Sequence, residues 1–202
     1  MDDLVMEGFL REQYEKGMAF AAQSDLVELY PVIGPQDPLE LLRRLVEGRP
    51  PKLDYDPNSG ADPPDRYHVH FRCKGLVRQP GGEIVEASHF MVEVWFPPDY
   101  LRVVEPLEVV TWIGPRQVFH PNIRPSLICM GHIAPATDLV TILYQLYEII
   151  SYHNWAAHDA LNAEASQWAR NQPQGRFPVD RRPLKRRALP LTVNPTPSEK
   201  AP

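Results

Sequence analysis

The sequence predicts an α+β fold: a four-stranded antiparallel meander with helices before and after it. Three observations predict it. Asp138 to Tyr152 places Leu139, Ile142, Leu143, Leu146, Ile149 and Ile150 at i, i+3, i+4, i+7, i+10 and i+11, a continuous apolar stripe on one helix face. Tyr67 to Leu76 alternates instead, with Tyr67, Val69, Phe71 and Cys73 on one face and His68, His70, Arg72 and Lys74 on the other. Further strand-like runs between residues 24 and 113 are separated by Pro and Gly signals, which suits a sheet covered on one side.

The chain opens with a helix over Met1 to Ala22, where Leu10, Tyr14 and Met18 recur every four residues with Phe9 and Ala21 beside them. Ser24 to Ile33 is the first strand and Pro35 ends it. Asp37 to Glu47 carries Leu39, Leu42 and Val46 at near-helical spacing before Gly48 and two prolines, a short helix with a stop. Tyr67 to Leu76 follows, with Cys73 facing the core, then a hairpin turn at Gln79-Pro80-Gly81-Gly82. Glu83 to Phe96 is the third strand and Leu107 to Ile113 the fourth. The stripe of 138–152 is core. A last helix, Ala160 to Asn171, sets Leu161, Ala165 and Trp168 on one face, with Asp159 at its N-cap.

The 202 residues suit one domain with extensions, and 43% hydrophobic against 23% charged residues indicate a globular chain. No apolar run is long enough to span a bilayer, and the opening MDDLVMEGF is acidic where a signal peptide is basic, so the expected location is the cytoplasm, with no membrane partner. There Cys73 and Cys129 stay reduced. The net charge of -5 is uneven: residues 173–202 hold seven Lys/Arg against two Asp/Glu, leaving 14 against 24 before them. With seven of the 23 prolines and little apolar periodicity, residues 172–202 read as a basic, Pro-rich disordered tail that is dispensable for folding. The acidic body argues against nucleic acid as the partner.

The chemistry-bearing stretch is Phe119 to Met130, FHPNIRPSLICM. A thiol is a nucleophile only as thiolate, so it needs polar neighbours and some exposure. Pro121 and Pro125 interrupt regular pairing and put Cys129 on an irregular loop between the last strand and the following helix. Asn122 can donate to a loop carbonyl or to a developing oxyanion. The competing reading makes Cys129 an apolar filler beside Ile128 and Met130.

His120-Pro121-Asn122-Ile123 followed by Cys129 resembles the active-site signature of ubiquitin-conjugating enzymes, including divergent ones of bacterial ubiquitin-like conjugation systems. Phe90 to Tyr100, FMVEVWFPPDY, is similar to the family's strand leading into a Phe-Pro-x-Asp-Tyr turn, and His158 to Ala165, HDALNAEA, to its last helix start. The three motifs stand in the family's order, and the resemblance covers residues 4 to 171 with gaps. It implies a UBC-like domain over 1–171, with 34–61 as an insertion carrying the short helix; alternatively 37–47 is the family's own first helix.

The implied function is transfer of a ubiquitin-like modifier protein, accepted as a thioester on Cys129 from an activating enzyme and passed to a lysine of a target protein, without cofactor or metal. By resemblance Asn122 serves the oxyanion or its loop, Asp159 faces the incoming lysine, His120 and Pro121 shape the turn, and the polar face of the first helix is a candidate docking surface for the activating enzyme. The chain departs from the pattern where Trp-x-Pro after the cysteine is reduced to Pro135, where the following loop is about four residues short, and where Ala160 replaces a proline. Two rivals have different chemistry. Cys129-x2-His132 with His120, His153 or His158 offers zinc ligand types without a second regularly spaced pair, and the same fold could hold a ubiquitin-like protein or peptide without catalysis.

Overall fold

The computed structural model describes residues 2–52, 55–155 and 160–185. In chain order they form α1 (Asp2–Ala21), β1 (Val27–Pro31), α2 (Pro38–Val46), β2 (Arg66–Phe71), β3 (Gly75–Arg78), β4 (Ile84–Ala87), β5 (Phe90–Trp95), α3 (Pro106–Val109), β6 (Val110–Gly114), β7 (Ile123–Arg124), β8 (Leu127–Ile128), α4 (Leu139–Ile150) and α5 (Ala163–Arg170). The fold is α+β. Its main sheet has the order β1-β2-β5-β6, antiparallel throughout. Val69 lies opposite both Leu29 and Val92, so the inward residues of three strands form one layer.

The second and third expected strands each divide. Pairing of β2 with β5 stops at Phe71 and Phe90, and β3 with β4 continue as a separate hairpin. Gly75 marks the departure: a Cβ there would lie 2.7 Å from the Phe90 ring and 2.9 Å from the Ile150 carbonyl. The start of the fourth strand is also displaced, because Pro106 begins the single helical turn α3 before β6.

The sheet is covered on both faces, which overturns the one-sided expectation. On the main side α1 and α4 pack against buried Leu29, Tyr67, Val69, Val92 and Val94. Gly17 lets them approach, since a Cβ there would meet Leu139 at 2.8 Å and Leu29 at 2.9 Å. Gln13 is buried beside it and accepts the Leu139 N–H at 2.8 Å, satisfying a donor at the start of α4. On the other side α2 buries Leu41 and Leu45 with Tyr30 and Met91. Leu39 and Val46, two members of the expected stripe, point to solvent instead. On this face His68 and His70 are each only 1% exposed, and each has a carboxylate: Glu93 at 3.2 Å from His68 Nε2 and Glu28 at 2.8 Å from His70 Nδ1. Among the described residues no helix is long and apolar enough to cross a membrane.

The expected undocked tail is corrected over its first part. Residues 173–185 run back over the domain as a strap: the Val179 N–H donates to the Ser151 carbonyl at 2.9 Å, Leu184 is 2% exposed, and its carbonyl accepts from Ser24 Oγ. Asp180, also 2% exposed, accepts the Lys74 N–H at 2.7 Å and the Arg182 guanidinium at 2.6 Å. Residues 186–202 lie outside the described residues.

Burial opposes ionisation of Asp180, but Arg182 and the two backbone donors outweigh it and hold the carboxyl at about 2. A depressed carboxyl stabilises the fold above its unfolded pKa near 3.8 and loses that contribution as pH falls towards about 2. About 2 kcal/mol is at stake. Asp180→Asn is therefore expected to lower stability at neutral pH and to flatten its fall between about pH 4 and 2, measured by denaturant unfolding; an acid limb as steep as in wild type overturns the assignment.

Candidate active site

The peptide from Phe119 to Asn122 belongs to neither sheet nor helix, so its polar groups need individual partners. Each of its four carbonyls has one. Tyr152 Oη donates to the Phe119 carbonyl, Ile123 N–H to His120 at 3.2 Å, Asn162 N–H to Pro121 at 3.0 Å and Cys129 N–H to Asn122 at 2.8 Å. The Phe119 N–H goes to the Leu76 carbonyl at 2.9 Å. The turn is thus fixed from β3, from β7, from the end of α4 and from the start of α5.

His120 is 1% exposed and works within the turn. Its Nδ1 accepts the Asn122 N–H at 3.0 Å, which assigns the ring proton to Nε2. Among the described residues Nε2 has no partner of hydrogen-bond geometry, although the Ile149 carbonyl gives weak electrostatic support. Burial pushes the pKa down to about 3, so the imidazole is neutral at physiological pH. The Tyr152 ring meets it edge-on at 4.2 Å between centroids. A ring so enclosed is structural and is no base for the thiol.

Asn122 and Cys129 are tied reciprocally. Besides accepting the Cys129 N–H, Asn122 donates Nδ2–H to the Cys129 carbonyl at 3.1 Å. In this state the amide holds the loop, the first of the two roles its chemistry allows. β7 and β8 form a small hairpin, so the prolines do not abolish pairing altogether; Cys129 leaves β8 into an irregular stretch that lasts to Asp138. Cys129 as a residue is half-buried, and among the described residues no imidazole hydrogen-bonds to its thiol. Cys73, by contrast, is fully buried, and desolvation pushes its thiol well up, away from reactivity.

The predicted site residues thus converge for His120, Pro121, Asn122 and Cys129. Asp159 and His158 lie outside the described residues. The cap assigned to Asp159 belongs to Asn162, whose side chain accepts the Ala165 N–H at 3.0 Å. Both are good N-cap types, and the sequence does not rank them. α5 buries Ala165, Ser166 and Ala169, while Trp168 stands edge-on to Phe119 at 5.5 Å. Of the zinc set, His120 is locked in the turn, His153 Nδ1 pairs with Ser151 Oγ at 2.7 Å and His158 lies outside the described residues; among the described residues no metal-binding group of three occurs. Sequence reasoning missed Tyr152, Asn162 and Phe177. Tyr152 is a helix-end aromatic with no periodic signal, and Phe177 lies in the supposed tail.

No family model, curated protein or solved structure matches the chain at a significant level.

The His120 ring is expected to stay neutral from about pH 8 down to about pH 4, seen as invariant ring chemical shifts by NMR. Its folded pKa lies below the unfolded value near 6.5, so the fold loses stability as pH drops below about 6.5, by up to about 1.4 kcal/mol per unit. Titration of this ring between about pH 5 and 8 contradicts the buried neutral tautomer.

Proposed function

We propose that the protein is a UBC-like conjugating enzyme that carries a ubiquitin-like modifier on Cys129 and transfers it to a lysine. The observation that carries this reading is the reciprocal pairing of Asn122 with Cys129, which couples the His120-Pro121-Asn122 turn to the one partly exposed cysteine among the described residues. The four-stranded meander between an N-terminal and two C-terminal helices suits the same reading.

In the first step the Cys129 thiolate attacks the carbonyl carbon of the modifier's C-terminal thioester on the activating enzyme. A C–S bond to Cys129 forms, the tetrahedral oxyanion collapses, and the activating enzyme's thiolate leaves. One thioester replaces another, so position matters more than activation, and no base beside the thiol is required. In the second step a neutral lysine amine attacks that carbonyl; the C–N bond forms, the C–S bond breaks, and the amine gives up a proton as Cys129 departs as thiolate. A lysine with pKa near 10.4 is less than about one part in a thousand neutral at pH 7, so this step needs orientation and a proton acceptor. Asp159 stands three residues before Asn162, whose N–H is fixed to the turn, and is the residue we assign to that task.

Incubation with ATP, an activating enzyme and its modifier is expected to give an adduct on Cys129 that a thiol reductant removes. Cys129→Ser should give a thiol-resistant ester that hydroxylamine cleaves, and an equal adduct on Cys129→Ala contradicts the proposal. Asn122→Ala is expected to charge near normally but to discharge to lysine about 100-fold more slowly. Asp159→Asn should slow discharge to free lysine most at the lower end of about pH 7 to 9, where proton acceptance matters most. Discharge unchanged across that range removes Asp159 from the mechanism.

A further inference from the structure

The strap reaches the candidate site through one side chain. The Phe177 ring lies parallel to that of Tyr152, 4.6 Å away and 9° from coplanar, with Trp155 and Trp168 flanking it at 5.9 and 6.3 Å. Leu76 and Ala169 are buried with Tyr152 in the same small cluster. Tyr152 in turn meets His120 at 4.2 Å and donates its hydroxyl to the Phe119 carbonyl. His120 accepts from Asn122, and Asn122 is bonded to Cys129 in both directions.

The backbone at Tyr152 provides an independent observation. α4 ends at Ile150 with Ser151 as its cap, and Tyr152 then takes a left-handed conformation with φ of 62°. That position after a helix is ordinarily taken by glycine, because a Cβ is disfavoured there. An aromatic residue held in this conformation indicates that its ring is required where the strained backbone puts it. It is 1% exposed, between the turn and the strap.

We propose that the C-terminal strap positions the cysteine site: Phe177 holds Tyr152, Tyr152 holds the His120 turn, and the turn sets the place and exposure of the Cys129 thiol. The inference rests on the reading of Cys129 as the reactive residue. Phe177 touches no reacting atom and is a positioning residue. The strap has other anchors, at Ser151, Lys74 and Ser24, so its attachment does not depend on Phe177 alone. Loss of the ring is therefore expected to loosen the turn while the rest of the strap stays docked. A thiol on a loosened loop becomes more accessible to a small electrophile and less well placed for a protein thioester.

The test is the second-order rate of iodoacetamide alkylation of Cys129 in the full chain, assigned by peptide mass and measured well below every variant's melting temperature. Phe177→Leu is expected to alkylate about threefold faster or more, and Phe177→Tyr, which keeps the ring, to stay within about twofold of wild type. Leu184→Ala removes a strap anchor at the far end; it should lower the melting temperature but leave alkylation within about twofold. An unchanged or slower rate in Phe177→Leu overturns the proposal, as does an equal rise in Leu184→Ala, which indicates general destabilisation. Should Phe177→Leu fail to fold, Phe177→Met is measured with the same criteria. Charging with modifier is read in parallel, and Phe177→Leu should charge more slowly by about threefold or more. If wild type forms no adduct while the alkylation pattern holds, the positioning role stands and the conjugating function fails; the reverse result sinks the positioning role alone.

Discussion

A buried peptide outside sheet and helix must find a donor for every carbonyl, and the C-terminal half of this protein is arranged around that constraint at residues 119–122. Tyr152 comes from the end of α4, Asn162 from the start of α5, and Ile123 and Cys129 from the hairpin that follows. None of these is near the turn by chance of packing alone, because each spends a specific donor on a specific oxygen. Leaving a buried carbonyl unpaired costs about 1–3 kcal/mol, and each of the four bonds avoids a penalty of that size. The position of the thiol follows from this satisfaction of the backbone.

The same logic explains the histidines. His120 is neutral because it is buried, and it serves as an acceptor for a backbone N–H. His68 and His70 are buried on the opposite face of the sheet, yet each meets a carboxylate, and the hydrogen bonds from these rings are the leading reason that Glu93 and Glu28 are held below the usual carboxylate range. Glu28 also receives Tyr30 Oη at 3.2 Å and faces Arg72 at 3.4 Å, while Glu93 faces Arg66 at 3.1 Å. The covering of this face by α2 is thus accompanied by polar pairing across β1, β2 and β5 as well as by apolar burial.

Much of the fold was legible because its long elements have one strongly apolar face. All six stripe residues of α4 are buried, and Tyr67, Val69, Phe71 and Cys73 face the core as their alternation requires. Misreadings arise where tertiary context overrides a local pattern. Histidines alternating with apolar residues look like an outer face until carboxylates from the neighbouring strands meet both rings and His89 stacks on His70. In α2 two candidate stripes overlap, and the choice between Leu39–Val46 and Leu41–Leu45 is made by Tyr30 and Met91, which no local pattern reveals. At the site, the spacing from His120 to Cys129 exposed the turn and the thiol, but not the residues that support them, since Tyr152, Asn162 and Phe177 act from distant positions.

The strap shows why composition misled. Phe177, Val179 and Leu184 are too few and too irregularly spaced to signal a core, and they sit among arginines and prolines that signal the opposite. An extended segment needs no period of its own when its apolar side chains pack against existing clusters, as Phe177 and Val179 do against the one formed by Leu76, Tyr152 and Ala169 and Leu184 does in the main core. Two of its four cations are likewise committed: Arg182 to Asp180 and Arg176 to Glu86. The positive charge that suggested a free tail is therefore partly internal to the fold, and the prolines fit an extended path that lacks a ladder of its own. A chain segment can thus carry the composition of disorder and still be a structural part, when its few apolar residues and its single buried carboxylate are placed where the domain has matching sites.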